Sequence, residues 1–394
     1  MTINDLKREN CCGCTGCQAV CPKNAISMQM DKQGFFYPVI DDTSCVKCGL
    51  CYKVCTESYA RKNDCIECFA VKNNDFDIVC KSSSGGVSNG LCKKCIDQGG
   101  IVYGVAYDNA LRVVTTRVDT YAACDKFYGA KYVQTSQEKS FGAVLKDLQD
   151  GKLVLFFGTS CHVAGLLSFL NVKKCDTAKL ITVDLICHGV PSPLLFANYI
   201  DFLGGSQKIT NVIFRNKKDQ TGKSLLLVPW RHGDINCCIE YKNGKRKVST
   251  LKSEIYRNLF WTDNCLRPQC YQCKYVGEKK ASDITIGDFW GIEKAHPEVA
   301  DHYGVSSVLI HTEHGRNFFF SCEDFSLTPS TFEKISAKNM KRPTAKPSTY
   351  DEFWRDYESG GFKLIAKKYG RYNFRGVLRK TFLHKIWCKI RYGK

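Results

Sequence analysis

Residues 11–22 have the sequence CCGCTGCQAVCP, and residues 45–55 have the sequence CVKCGLCYKVC. In each stretch three cysteines are spaced two residues apart, and a fourth follows after three more residues. The second set begins 34 residues after the first, so the two sets form a duplicated unit. A cubane [4Fe–4S] cluster needs four thiolate ligands, and in this spacing the fourth cysteine of each set reaches the neighbouring cluster. The spacing therefore predicts two [4Fe–4S] clusters with crossed ligands.

The crossed pattern assigns four cysteines to each cluster. One cluster takes Cys11, Cys14, Cys17 and Cys55, and the other takes Cys45, Cys48, Cys51 and Cys21. Gly13, Gly16 and Gly49 permit the tight turns whose amides donate hydrogen bonds to the sulfurs. Zinc knuckles are the alternative, but they use Cys-x2-Cys pairs separated by longer loops, which fits this spacing poorly. Cys12 does not fit the spacing, and we do not expect it to be a cluster ligand.

Residues 1–60 resemble a bacterial two-cluster ferredoxin. Pro22 ends the loop of the first set, whereas Thr56 stands where a proline usually follows the fourth cysteine of the second set. We expect this replacement to loosen the loop of the second cluster without abolishing ligation.

The composition limits the class of protein. A chain of 394 residues is long enough for two or three domains, and 44% apolar with 24% charged residues is typical of a soluble globular protein. No run of about 20 apolar residues and no secretory signal is present, so we expect a cytoplasmic protein. In a large chain without an export signal, the 25 cysteines indicate metal-ligating thiolates in a reducing compartment rather than disulfides.

The chain from Cys65 to about Phe332 has the pattern of an α/β protein. The predicted fold class is α/β (α+β), with a ferredoxin-like module, an α/β core and a basic helical tail. Loops rich in glycine, serine and cysteine follow several predicted strands, and ligands bind at such strand ends in α/β folds. The predicted strands are Gly100–Tyr107, Leu111–Val118, Lys152–Phe157, Leu180–Ile186, Val212–Arg215, Leu225–Trp230, Cys238–Tyr241 and Asp283–Gly287, and the predicted helices are Val87–Gln98, Val163–Leu170 and Leu194–Leu203.

Six motifs in this region occur in a fixed order and together carry a family resemblance. They are Ser82–Gly86, Ala130–Val133, Gly158–Cys161, Asp184–Pro193, Cys265–Cys273 and Ser282–Gly291. With them the chain resembles the coenzyme F420 hydrogenase/dehydrogenase beta-subunit family over roughly residues 65–335. The resemblance implies a flavin (FAD) site and one further [4Fe–4S] cluster, but not F420 itself. The expected domains are a ferredoxin-type domain (1–60), the two parts of the beta-subunit-like core (61–150 and 151–340) and a basic tail (341–394).

The third cluster implied by the resemblance would use cysteines from three motifs. Cys270 and Cys273 form a two-ligand clip, and each of the other two ligands follows a predicted strand. The expected ligands are Cys161, Cys187, Cys270 and Cys273. Cys265 competes with Cys161 for the fourth place. The pairs Cys65-x2-Cys68 and Cys92-x2-Cys95 have no third or fourth ligand nearby in the sequence, and we do not expect them to bind metal.

The flavin site is expected where a serine- and glycine-rich turn precedes a helix. Free amides at a helix N-terminus attract a pyrophosphate, although the same sequence could form a plain helix cap. Lys131 is expected at the phosphate and Tyr132 at the isoalloxazine ring, with a core aromatic as the alternative for Tyr132. The full expected set is Ser83, Ser84, Gly85, Gly86, Lys131, Tyr132, Thr159 and Ser160. No GxGxxG motif follows a strand, which argues against a nicotinamide site.

Clusters together with a flavin indicate an oxidoreductase, because clusters carry single electrons and a flavin exchanges one or two. The expected route runs from a ferredoxin or another redox protein through the N-terminal clusters and the core cluster to FAD and a small-molecule substrate. That substrate is an F420-like deazaflavin or a biosynthetic intermediate such as one of a cell-surface glycan. The alternative is an electron-transfer beta subunit of a hydrogenase or dehydrogenase complex. The sequence assigns no catalytic residue, and His162 and His188 are either proton donors or hydrogen-bonded loop residues.

The net charge of +18 is concentrated partly in the C-terminal tail. The final 36 residues contain eleven Lys or Arg and no acidic residue, and apolar residues recur every fourth position over Phe374–Ile390. This pattern predicts an amphipathic helix with a cationic face. The helix either docks on the protein's own core, lies on the anionic inner face of a membrane or attracts an acidic ferredoxin. We do not expect nucleic-acid binding.

Overall fold

The computed structural model describes residues 1–57, 59, 62–137, 139–218, 236–335 and 337–373. The predicted strand Leu225–Trp230 and the predicted helix Phe374–Ile390 lie outside these residues, as do Trp230, Arg231 and His232, which the sequence suggests as candidate substrate contacts. No helix in the described ranges combines the length and apolar character needed to cross a membrane.

The N-terminal unit consists of a short hairpin flanked by two short helices. Ile26 pairs with Ile40 across the antiparallel hairpin. Gly34 adopts φ +84° at the hairpin turn, where a Cβ would lie 2.2 Å from Cβ of Leu194, so the hairpin packs closely on the following domain. The elements of this unit are α1 (Gly16–Val20), β1 (Ile26–Met30), β2 (Phe36–Ile40) and α2 (Leu50–Lys53).

The rest of the chain forms two sheets surrounded by helices. The remaining strands are β3 (Glu67–Asn73), β4 (Ile101–Tyr107), β5 (Val113–Val118), β6 (Val154–Thr159), β7 (Leu180–Leu185), β8 (Ile209–Asn216), β9 (Asn236–Tyr241), β10 (Arg246–Val248), β11 (Ile284–Asp288), β12 (Ser306–Ile310) and β13 (Phe325–Ser330). The remaining helices are α3 (Phe76–Lys81), α4 (Val87–Asp97), α5 (Ser140–Gln149), α6 (Ser160–Val172), α7 (Pro193–Leu203), α8 (Leu251–Phe260), α9 (Ile292–Ala295), α10 (Glu313–Phe320), α11 (Phe332–Ile335), α12 (Lys338–Lys341) and α13 (Tyr350–Lys368).

The larger sheet has eight strands in the order β13-β3-β12-β11-β7-β6-β4-β5. The central pairs of this sheet are parallel: β4 with β6, β6 with β7, and β7 with β11. The outer pairs are antiparallel. Val154, Leu155 and Phe156 are all fully buried, which is typical of a central parallel strand covered on both faces. The predicted α/β class is confirmed, and the carboxyl ends of β6, β7 and β11 lie at one edge.

A smaller antiparallel sheet, in the order β10-β9-β8, packs near α7, α8 and α13. The start of the predicted tail belongs to this core, since α13 buries aromatic side chains such as Phe353 and Trp354. The helix kinks at Gly361, whose φ of +62° lies in the left-handed region. The first part of the basic tail is therefore a structural helix.

Candidate functional site

The second set of N-terminal cysteines surrounds one cavity together with the last cysteine of the first set. Cys21, Cys45, Cys48 and Cys51 all line a cavity of about 350 Å³ that includes its open mouth. The amide of Ala25 donates a 3.3 Å hydrogen bond to Sγ of Cys21, as a ligand thiolate requires. These four cysteines are the set that the crossed pattern predicts, and they could hold one cubane.

The other N-terminal set is gathered around Cys17. The thiols of Cys11 and Cys55 lie near enough to Cys17 to raise its pKa beyond the effect of burial, which is the main cause. Burial also raises the pKa of the Cys55 thiol to about 12. Thiols with raised pKa values become thiolates when a cationic iron centre compensates the charge. Main-chain amides supply further stabilisation, since those of Gly13, Gly16, Gln18 and Glu57 donate to Cys11, Cys14, Cys17 and Cys55 respectively.

A third group of cysteines meets in the core, at the carboxyl ends of β6 and β7. Cys161 lies in the first turn of α6, Cys187 follows β7, and the other two lie in the 3₁₀ turn Pro268–Gln272 and directly after it. Together they line a cavity of about 620 Å³, its mouth included. The members are Cys161, Cys187, Cys270 and Cys273.

Cys265, which competed with Cys161 for the fourth place, lies elsewhere. Its side chain is buried among the aromatic residues of the smaller sheet and donates to the carbonyl oxygen of Leu259 at 3.7 Å. The geometry thus favours Cys161 over Cys265. In the described parts of the chain no three His, Cys, Asp or Glu side chains are arranged to hold a single metal ion.

The core cysteines have the environment of cluster ligands. Burial raises the pKa of Cys187 to about 11 and raises that of Cys270 further. The amide of Val190 donates to Sγ of Cys270 at 3.5 Å, and the amide of Gly189 donates to Cys187. These amides face the sulfurs from a loop that a side chain on Gly189 would disturb, because its φ is +135° and a Cβ would lie 2.7 Å from Leu266. The residues present therefore fit a third cubane.

A much larger cavity of about 1490 Å³, its mouth included, opens beside this cysteine cavity. Six of the eight predicted flavin contacts line it, namely Ser83, Ser84, Gly86, Lys131, Tyr132 and Thr159. Ser160 lines the cysteine cavity instead. Gly85 does not line the large cavity, because it packs against β3, where a Cβ would lie 2.4 Å from the carbonyl oxygen of Val71. Its amide donates to Oγ of Ser306 at 3.0 Å.

Lys131 and Tyr132 have distinct roles in the wall of the large cavity. The ammonium group of Lys131 donates to the carbonyl oxygens of Lys126 and Tyr128, both at 2.9 Å, and desolvation lowers its pKa to about 7. The ring of Tyr132 packs 5.0 Å from that of Phe260, so Tyr132 is both a core aromatic and a wall residue.

Several charged residues near this cavity could not be identified from the sequence. Arg215, at the end of β8, forms an ion pair with Asp288 at the end of β11, and both residues line the cavity. Lys217 donates to the carbonyl oxygen of Ser84 at 3.0 Å, and burial lowers its pKa to about 7. Asp288 could have been suggested from the sequence, because it belongs to one of the six motifs. Nothing in the sequence links Lys217 to Ser84, which is 133 residues away.

The two histidines that follow core cysteines are held by hydrogen bonds. Nδ1 of His162 lies 2.7 Å from Nε2 of Gln137, and burial lowers the pKa of His162. Nε2 of His188 lies 2.6 Å from a carboxylate oxygen of Asp263. Both histidines are thus hydrogen-bonded, His188 in the loop after β7 and His162 in the first turn of α6 rather than in a loop.

The cysteine cavity and the large cavity share a wall. Residues of the β6 and β7 ends line both, namely Thr159, Ile186, Cys187, His188, Gly189 and Val190. A group bound to the core cysteines would therefore lie one layer of residues away from a ligand in the large cavity.

Comparisons with known proteins match two regions of the chain. Residues 151–327 match the family model for the C terminus of the coenzyme F420 hydrogenase/dehydrogenase beta subunit, and residues 10–58 match the 4Fe-4S dicluster domain. The resemblance predicted from the sequence motifs is confirmed, and so is the predicted N-terminal ferredoxin-type domain. The chain is an iron–sulfur protein related to this beta subunit.

The four core cysteines lie within the matched beta-subunit domain, and the eight N-terminal cysteines lie within the matched dicluster domain. Among solved structures, a chain of the xenon-derivatized F420-reducing [NiFe] hydrogenase complex from Methanosarcina barkeri aligns with 18% identity and a TM-score of 0.45. The alignment covers 81% of this chain and 94% of that one. None of the curated proteins compared with the chain matches it.

Proposed function

We propose that this protein is an iron–sulfur flavoprotein oxidoreductase. It takes electrons from a ferredoxin or another redox protein through three [4Fe–4S] clusters and delivers them by way of FAD to a small-molecule substrate. The observation that carries the proposal is the wall shared by the cysteine cavity and the large cavity. Bound there, clusters would supply single electrons and the flavin would combine them into pairs.

Helix α6 supports the order of the clusters along this route. Gly165 in α6 packs so closely on the ferredoxin unit that a Cβ would lie 2.8 Å from Sγ of Cys14. The first turn of the same helix carries Cys161, a proposed ligand of the core cluster. The cluster of Cys11, Cys14, Cys17 and Cys55 is therefore the one next to the core, and the cluster of Cys45, Cys48, Cys51 and Cys21 is the outer one.

The lining of the large cavity fits a dinucleotide such as FAD. The cavity is extended, because its walls run from the serine-rich turn at Ser83 to the carboxyl ends of β6, β7 and β11. Ser83, Ser84 and Gly86 would face the pyrophosphate, and Lys131 would supply positive charge. The lowered pKa of Lys131 is the mark of a buried cation without an anion beside it, which a bound pyrophosphate would provide.

The chain's own residues would control the substrate end of the site. Arg215 and Asp288 form their ion pair in the wall of the large cavity, and the Arg215 guanidinium lies 5.2 Å from the ring centre of Trp290. These groups would orient a polar substrate. The candidate substrates are an F420-like deazaflavin and a biosynthetic intermediate such as one of a cell-surface glycan.

A second candidate function is that of a beta subunit that passes electrons within a hydrogenase or dehydrogenase complex. The match of residues 151–327 to that subunit family favours it. The fused dicluster domain favours the self-contained enzyme, because it gives the chain its own entry for electrons.

We also propose domain limits of 1–60, 61–150, 151–340 and 341–394.

Cofactor content and turnover of the isolated chain test the proposal. Protein purified without oxygen should contain about twelve iron and twelve sulfide per chain, from three cubanes, together with one FAD. Reduced ferredoxin or dithionite should then drive reduction of a deazaflavin or another acceptor by the chain alone. Zinc in place of iron would contradict the whole proposal, and a chain with all cofactors that reduces no acceptor without a partner would favour the subunit role.

A further inference from the structure

Cys12 lies inside the first set of N-terminal cysteines but does not fit the ligand spacing of that set. It is only 4% exposed, and it lines the same cavity as Cys161, Cys187, Cys270 and Cys273. A cubane takes four protein thiolates, so five cysteines around one cavity leave one thiol in excess. Cys12 is that thiol, because the other four come from the ends of the core strands and the clip.

The side chain of Cys12 lies between two proposed clusters. It is buried in the same packed group of side chains as Cys14, which belongs to the inner ferredoxin set. Cys161, which belongs to the core set, packs against this group and lines the same cavity as Cys12. One thiol therefore lies beside a proposed ligand of each of two neighbouring clusters.

Buried polar groups hold Cys12 in this position. Oγ1 of Thr56 lies 3.5 Å from Sγ of Cys12, and Thr56 is 3% exposed. The side-chain amide of Gln134 donates to the carbonyl oxygen of Cys12 at 3.1 Å. The buried hydroxyl of Tyr275 lies beside Thr56 and lines the same cavity. A proline at position 56 would have no hydroxyl to offer, so this residue contributes a hydrogen bond to Cys12 that the usual ferredoxin sequence lacks.

We propose that Cys12 is a positioning residue that donates a hydrogen bond shared between the inner ferredoxin cluster and the core cluster. The inference rests on the proposed function, because it requires Cys14 and Cys161 to be cluster thiolates. The Cys12 thiol then donates its proton to either thiolate, while the Thr56 hydroxyl donates to the Cys12 sulfur. Hydrogen bonds to ligand sulfurs favour the reduced, more negative state of a cluster and raise its reduction potential. Cys12 thereby raises the potentials of both clusters between which the electron passes.

Two substitutions and a redox titration monitored by electron paramagnetic resonance test this role. Cys12→Ala removes the donor, and we expect this variant to keep its full iron content. Both reduction potentials should become more negative, because the equilibrium constant for reducing each cluster falls about threefold to tenfold. The outer cluster should not change. Cys12→Ser keeps a donor and should stay near the unsubstituted protein. Thr56→Val should shift the same two potentials in the same direction but less. Cys95→Ala, at a buried cysteine in α4, is the control and should shift none of them.

Three results would overturn the inference. Loss of about four irons in both Cys12→Ala and Cys12→Ser would make Cys12 a ligand. Full iron content with unchanged potentials in Cys12→Ala would make it a packing residue. Absence of the inner or core cluster from the unsubstituted protein would refute the proposed function together with this inference, and the iron content of that protein separates this result from the other two.

Discussion

Nε of Arg267 donates a 2.6 Å hydrogen bond to the carbonyl oxygen of Cys11, and this bond joins the clip loop of the core to the first proposed ligand of the ferredoxin unit. The guanidinium also donates to the side-chain oxygen of Gln134 and to the carbonyl oxygen of Phe36, both at 3.0 Å. It lies 4.3 Å from the ring centre of Tyr37, and the residue is fully buried. Arg267 thus fastens two segments of the ferredoxin unit to the core.

Replacing Arg267 should loosen this junction. Arg267→Ala leaves buried carbonyl oxygens without donors, and we expect the free energy of unfolding to fall by about 3–5 kcal/mol. Thermal and denaturant unfolding of the anaerobic protein would measure this. Arg316→Ala is the control, because Arg316 makes a solvent-exposed ion pair with Glu67 and its loss should change the free energy of unfolding much less. Equal losses for the two variants would contradict the anchoring role.

The close approach of α6 to Cys14 gives a second prediction. Gly165→Ala places a Cβ 2.8 Å from Sγ of Cys14, so the helix must move away, which we expect to cost about 1–3 kcal/mol and to reduce the iron content. Gly142→Ala, in α5, is the matched control. A Cβ there meets nothing within 4 Å, and alanine should stabilise that helix by about 0.5–1 kcal/mol. Stabilisation by both substitutions would show that α6 does not press on Cys14.

A pair of clip-loop variants tests the proposed core cluster and whether Cys265 is one of its ligands. Cys270→Ser should lose about four of about twelve irons, keep the N-terminal clusters and slow the reduction of FAD by dithionite-reduced clusters. Cys265→Ser should keep all its iron, because Cys265 lies outside the cavity. Iron analysis and stopped-flow flavin absorbance measure both effects. Loss of a cluster in Cys265→Ser, or flavin reduction at the normal rate in Cys270→Ser, would refute this ligand set.

Flavin binding should depend on pH through Lys131. Its pKa is lowered to about 7 by desolvation, so the free site is cationic below pH 7 and becomes neutral above it. An anionic ligand binds better to the cationic form and raises this pKa on binding, so affinity should fall as pH rises above 7, by up to about tenfold per pH unit. Fluorescence titration of FAD into flavin-free protein measures this. Lys131→Met should bind weakly with a shallower pH profile, because Lys217 near Ser84 also has a pKa lowered to about 7, whereas Lys126→Met should keep the slope.

The basic tail is tested by removing residues 374–394 alone. The cut leaves α13 and Tyr372 in place, which pack on the core. If the tail attaches to membranes, the full chain should sediment with anionic vesicles, salt should weaken the binding, and truncation should abolish it. If it attracts an acidic ferredoxin, both forms should stay in solution, and truncation should lower a salt-sensitive reduction rate. No effect of truncation on either measurement would favour docking on the protein's own core.

Local spacing explains what the sequence could predict. The eight proposed N-terminal ligands could be selected from the sequence because three of each four lie within one short loop. Periodicity predicted the bounds of α7 to within one residue. The fourth core ligand was ambiguous in the sequence. Cys161 lines the cysteine cavity and Cys265 is buried in the core of the smaller sheet, and this difference depends on tertiary packing. The position of Cys12 between two sets was unpredictable for the same reason, since its partner Cys161 is far away in the sequence.

The anchoring of the ferredoxin unit by Arg267 bears on the kinetics of the proposed electron delivery. A carrier on a loose linker must diffuse to its acceptor, so its rate varies with viscosity and ionic strength. Arg267 holds the ferredoxin unit through hydrogen bonds to two of its carbonyl oxygens, and a third bond, to Gln134, fixes the guanidinium to the core. In the proposed route, passage from the inner cluster to the core would therefore be a first-order event over a constant distance. Sensitivity to salt and to donor concentration would be confined to the encounter with the external donor.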